Sequence, residues 1–354
     1  MSVKFSLSET NEHYNSKTPQ GVMLSGLLEV IKPRENLWYA DTFSLPSFEN
    51  LKKYYQGKGT VVLYCWWDPV DDRLLKHIDD IDLDFIIITP DPDYCGKHSR
   101  IEIIKWRHQY GFHNSLINSH STYDIETAST GQFLCMMRNH KPERLCLLQE
   151  LWKNDLLDKG LVSYLGQVNT AGTHGRESRT IDSILKPVYG VDTEFKFTPD
   201  SNFAEWCKDN LPKQIPNDVT QTLGNNTDFN TPGNRYWYTN TSYSVILETY
   251  WAKTQFLTEK TFKPIVAGHP FINLGNRSTE LLKGFGFNTY ESIFGNDHDS
   301  LPAKEKIDCV IEKLKTVKEL PVTYPNYNRQ VLCDLEESAK KEIAKLAKQV
   351  KTVL

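Results

Sequence analysis

Three short apolar runs constrain this chain most: Val61–Trp67, Asp84–Thr89 and Gly131–Met137. Each is shorter than an ordinary helix and lacks polar alternation, which is the pattern of a strand buried on both faces. Such strands belong to parallel sheets, whose connections cross over through helices. Helical patterns do follow them, over Asp71–Ile78, Ile101–Gln109 and Pro142–Leu157, the last with Leu145, Leu148, Leu151 and Trp152 on one face. The sequence therefore predicts an α/β protein. Residues 166–242 are polar and rich in Asn, Thr, Asp and Gly, and are expected to form long loops with a few short elements; Tyr243–Thr249 is expected to be a further strand. Two amphipathic helices close the chain, separated by Pro321 and Pro325. One carries Ile307, Val310, Ile311 and Leu314, the other Leu335, Ile343, Leu346, Val350 and Val353 amid lysines read as a solvated face.

The 354 residues leave room for two domains of ordinary size. A net charge of −4 argues against binding nucleic acid by bulk charge. No apolar run approaches the roughly 18 residues of a membrane span, and the polar start Met1–Lys17 lacks a signal-peptide pattern. The expected setting is a cytoplasm, bacterial or that of a virus's host, without membrane insertion. Asn225, Asn240 and Asn276, each in an Asn-X-Ser/Thr triplet, are then chance matches. The seven scattered cysteines, with no Cys-X-X-Cys, read as reduced thiols.

Phe256–Gly275 is the segment richest in chemistry. Thr258 is placed to cap a helix that Gly268 ends, and an apolar strand running to Gly275 follows. Free N–H groups and the dipole at a helix start favour a phosphate. Lys260 and Lys263 add cationic charge there, and Glu259 can accept hydrogen bonds from ribose hydroxyls. Pro264 removes one helical hydrogen bond. The competing reading is an ordinary capped helix with Glu and Lys on its surface. His98, His108, His113 and His120 show no recurring ligand spacing and are read as structural.

Tyr243–Gly275, with Leu247-Glu248-Thr249, then Phe256–Lys260, then Ala267–Gly275, resembles the donor-binding segment of α1,3-fucosyltransferase-like glycosyltransferases, and is similar also to exostosin-like members from bacteria and large phages. Met136–Arg144, with the helix after it and Leu161–Tyr164, resembles the start of the same family's nucleotide-binding domain. The resemblance implies two Rossmann-like domains facing across a cleft (GT-B): residues 1–130 for the acceptor, 131–300 for the sugar nucleotide, and C-terminal helices over 301–354 packing back on the N-terminal domain. It implies an inverting, metal-independent glycosyltransferase with no cofactor beyond a nucleotide-diphosphate sugar as co-substrate. Lys260 and Arg144 would face the donor diphosphate, with Arg138 a further phosphate candidate. Glu259 would face the ribose, and Glu248 the sugar or ribose edge.

A transfer to a hydroxyl also needs a general base, which in this family is a carboxylate of the N-terminal domain. Asp68 and Asp91 each follow a predicted strand, where open α/β sheets place ligands. Asp91 and Asp93 together leave open a metal-dependent, single-domain (GT-A) alternative, and a non-catalytic nucleotide-sugar or nucleic-acid binding module is a third reading. The acceptor is a glycan or a hydroxymethylated base in phage DNA, which would have to be extruded beside a basic groove. Lys97, Arg100, Lys105 and Arg107 can line such a groove or form a solvated helix.

Overall fold

The computed structural model describes residues 27, 30, 37–41, 59–65, 83–92, 94, 98–112, 117, 131–169, 176–178, 180–186, 188–189, 195–215, 235–249, 251, 254–317 and 325–354. The chain divides into two compact units, Met1–Leu116 with Leu332–Leu354, and Ile117–Val331.

The first unit holds a sheet of β1 (Leu37–Asp41), β2 (Gly59–Tyr64), β3 (Leu83–Thr89) and β4 (Ile101–Lys105), side by side in that order and all parallel. Val62, Tyr64, Ile86, Ile88 and Ile104 pack with Trp106 and Phe112 into a core. The stripe Ala339, Ile343, Leu346, Ala347 and Val350 of the chain's last helix completes that core. This stripe recurs at helical spacing, so one face is buried while the lysines lie outward; Lys340, Lys341 and Lys345 pair with Glu336, Glu337 and Glu342.

The expected helix over Ile101–Gln109 is instead β4 followed by a 3-10 turn, Arg107–Phe112. Ile-Glu-Ile-Ile-Lys fits either period over five residues, and β-branched isoleucines beside the apolar β3 favour the strand. The basic residues there accordingly sit on a turn (Arg100), a strand end (Lys105) and the 3-10 start (Arg107), not on a solvated helix. Asp71–Ile78 and Lys97 lie outside the described residues.

The second unit begins with β5 (Gly131–Asn139), α1 (Pro142–Lys153), β6 (Leu161–Asn169), β7 (Arg176–Ser178) and α2 (Ile181–Ile184). A small hairpin, β8 (Val188–Tyr189) with β9 (Lys196–Phe197), precedes α3 (Ser201–Asn210) and α4 (Arg235–Thr239). Then come β10 (Thr241–Ile246), α5 (Glu259–Ala267), β11 (Phe271–Asn273), α6 (Ser278–Gly284), α7 (Glu291–Phe294) and α8 (Ala303–Thr316). The last helix, α9, starts at Pro325 and runs to Val353. The described part of residues 166–242 holds short elements, as expected, of which α3 is the longest at ten residues.

The sheet order is β11-β10-β5-β6-β7, with only β7 antiparallel to its neighbour among these pairs. From β5 the chain steps outward through β6 to β7, then returns to the other side of β5 for β10 and β11. The order of strands therefore reverses between β5 and β10. In open α/β sheets the crevice outside the carboxyl ends of two such strands is where ligands bind.

Candidate functional site at the carboxyl ends of β5 and β10

The parallel register, Tyr243 beside Phe133 and Val245 beside Cys135, brings Asn139 and Glu248 to the same edge of the sheet. Arg144, in the first turn of α1, spans the two strand ends. Its terminal nitrogens donate to the carbonyls of Asn139 at 3.2 Å and Leu247 at 3.3 Å, while Lys141 reaches the Thr249 carbonyl at 3.2 Å. The Arg144 side chain is buried and its Nε has no hydrogen-bond partner. Burial lowers its pKa, opposed by the nearby Tyr164 hydroxyl and by the carboxylates of Glu143, Glu248 and Glu259. The resemblance assigns Arg144 to a diphosphate. In the structure its fork is spent on backbone carbonyls, and it acts as a strut between β5 and β10.

Glu248 follows β10 and has no solvent exposure. Its Oε1 accepts the Thr258 N–H at 3.0 Å and the Thr261 hydroxyl at 2.5 Å, and its Oε2 accepts the Thr258 hydroxyl at 2.6 Å and the Thr249 N–H at 3.3 Å. With both carboxylate oxygens occupied, Glu248 fixes the start of α5 and is not presented to a sugar. Thr258 is the N-cap, its hydroxyl accepting from the Lys260 N–H at 3.4 Å, and Thr261 N–H bonds to the Thr258 carbonyl at 3.1 Å. These N–H groups are satisfied within the protein, so the charged groups of the first turn are what a ligand would meet. Lys260 Nζ lies 2.9 Å from the buried Glu259 carboxylate and 3.1 Å from the Thr258 hydroxyl. At the other end, Gly268 takes a left-handed conformation (φ 70) that ends α5 and turns the chain into β11.

One residue that the sequence did not single out completes the network. Asn273, the last residue of β11, donates to the Thr261 hydroxyl at 2.6 Å and accepts the Gly275 N–H at 2.8 Å. A Cβ on Gly275 would stand 3.1 Å from Glu248 Cβ and Cγ and 3.2 Å from Asn273 Oδ1, tighter than ordinary packing. Gly275→Ala is expected to cost about 1–3 kcal/mol of stability by overpacking, read as a fall in denaturant midpoint; an unchanged midpoint would contradict this packing. On the β6 side, His140 Nδ1 and the Tyr164 hydroxyl lie 2.6 Å apart, both buried. Their only signal in the sequence was position beside the strand ends.

Arg138 is half-buried near the end of β5, and Lys263 is half-buried one turn along α5 from Lys260. In the first unit Asp91 follows β3 and is buried, its N–H donating to the Thr89 hydroxyl at 3.2 Å. Asp68 and Asp93 lie outside the described residues. Among the described residues, no cluster of His, Cys, Asp and Glu has the make-up of a metal site. No described helix is long and apolar enough to cross a membrane.

His269, just before β11, is held neutral between a Ser244 hydroxyl at 2.8 Å from Nδ1 and the Thr241 carbonyl at 2.8 Å from Nε2. The carbonyl can only accept, so Nε2 carries the hydrogen. Burial takes its pKa from 6.5 down to about 4. Below pH 6.5 the unfolded chain binds a proton that the folded chain refuses, so stability is fully present above that pH and lost as pH falls toward 4. Burial also lowers the His298 pKa, which adds in the same direction. The His269 share is about 1.4 kcal/mol per pH unit at its steepest, and His269→Gln should flatten the fall in denaturant midpoint between pH 6.5 and 4. An equal slope in the variant would contradict this. Burial likewise pushes the thiols of Cys135, Cys146 and Cys207 up to about 12, leaving them unreactive.

No known family, curated protein or solved structure matches this chain.

Proposed function

We propose that the second unit binds a nucleotide sugar and that the protein is an inverting glycosyltransferase of GT-B type. The observation that carries the reading is the reversal of strand order between β5 and β10, with Arg144, Glu259 and Lys260 gathered at that edge. Glu259 would accept the ribose hydroxyls, and Lys260, with Arg138 and Lys263 nearby, would carry the diphosphate. The acceptor hydroxyl attacks the anomeric carbon as the sugar–phosphate bond breaks. Its proton passes to a carboxylate base, Asp68 or Asp91, and the charge left on the departing diphosphate is met by preplaced cations. A glycan or a hydroxymethylated DNA base would supply the hydroxyl.

Release of nucleoside diphosphate from a panel of nucleotide sugars, with glycan and hydroxymethylated DNA acceptors, measured with added Mg²⁺ and Mn²⁺ and again in EDTA, tests this. The proposal predicts turnover in EDTA for one donor–acceptor pair. Turnover abolished by EDTA and by Asp91→Asn would favour the metal-dependent reading, and donor binding without any turnover would leave a binding module.

A further inference from the structure

We infer that Lys306 is a positioning residue for the nucleotide site, a buried cation that fixes the start of α5 from a distance; this rests on the reading of that site given above. Lys306 lies in the first turn of α8 and has no solvent exposure. A buried ammonium is tolerated only where its donors are met. Its Nζ donates to the carbonyls of Asp299 at 3.0 Å, Gly275 at 3.1 Å and Trp251 at 3.4 Å.

Trp251 and Gly275 lie past the carboxyl ends of the neighbouring strands β10 and β11. Both lead to Glu248. From Gly275 the path runs through its N–H to Asn273 Oδ1 at 2.8 Å, from Asn273 Nδ2 to Thr261 at 2.6 Å, and from the Thr261 hydroxyl to Glu248 Oε1 at 2.5 Å. From Trp251 the indole N–H donates to the Glu248 carbonyl at 2.8 Å. Lys306 thus clamps the two segments that orient Glu248, and Glu248 holds Thr258 and with it the turn bearing Glu259 and Lys260. An apolar side chain of similar length would leave three carbonyls without this donor and free the two segments to drift apart.

Amide hydrogen exchange on the full chain without ligand tests this in Lys306→Met and Lys306→Gln. The expected result for Lys306→Met is exchange at the amides of Thr258–Phe262 accelerated at least tenfold beyond any acceleration at β5 and β6, with a smaller effect in Lys306→Gln, which keeps two donors. If Lys306→Met does not fold, Lys306→Gln carries the same comparison. Uniform acceleration across the unit, or none at Thr258–Phe262, would overturn the role of Lys306 and leave the nucleotide reading standing. Calorimetric titration with UDP and GDP separates the two claims: affinity for the nucleotide that binds should fall about tenfold in Lys306→Met, and equal affinity would overturn the positioning role. A wild type that binds neither nucleotide would overturn both.

Discussion

Glu248→Ala is expected to lower the stability of the second unit by about 3–5 kcal/mol. The carboxylate is wholly buried and takes hydrogen bonds from two threonine hydroxyls and two backbone N–H groups. Alanine leaves those donors without their acceptor and removes a negative charge that opposes the burial of Arg144. Glu248→Gln keeps the shape but turns one acceptor into a donor. Its amide nitrogen must face either the Thr258 or the Thr249 N–H, and neither can rotate away, so a smaller loss of about 1–3 kcal/mol is expected. Denaturant unfolding at pH 7 checks both, with Glu248→Ala well below Glu248→Gln. A loss under about 1 kcal/mol for alanine would mean that the network contributes less than its burial implies.

Lys260→Ala is expected to act on function more than on folding. The lysine side chain is 32% exposed, but its partner Glu259 is only 7% exposed, so the variant also loses some stability by leaving that carboxylate without its cation. In the proposed transfer, however, Lys260 is a cation that would meet charge building on a departing diphosphate. Removing such a preplaced charge costs on the order of a hundredfold in kcat/KM, about 2.7 kcal/mol of transition-state stabilisation. Steady-state kinetics on the folded variant should show the loss shared between the donor KM and kcat. A variant that folds normally and transfers at full rate would remove Lys260 from the mechanism.

The parts of the fold that were legible in the sequence are those whose signals are local. Val61–Tyr64, Phe85–Ile88 and Phe133–Met137 were readable as buried strands because nothing polar interrupts them. The α5 start was readable because an N-cap threonine and a terminal glycine act on their own neighbours. β4 was not, since five residues cannot distinguish a period of two from one of 3.6. Strands as short as β8 and β9 have no period at all. The roles of Glu248 and Lys306 were hidden for another reason. Glu248 finds its partners ten and thirteen residues downstream, and Lys306 reads as a surface lysine on an amphipathic helix. Only tertiary structure shows that both are buried and what they hold. Arg144 combines the two cases: its place after the strand was legible, but the spending of its fork on Asn139 and Leu247 was not.

The central claim is that the edge between β5 and β10 binds a nucleotide-diphosphate sugar. Calorimetric titration of a nucleotide-sugar panel into wild-type protein in EDTA, repeated with Glu259→Ala and Lys260→Ala, tests it most directly. The account predicts saturable binding of at least one nucleotide sugar by the wild type, weakened tenfold or more in each variant while both remain cooperatively folded. Binding left unchanged by both substitutions, or no binding of any nucleotide sugar by the folded wild type, would contradict it.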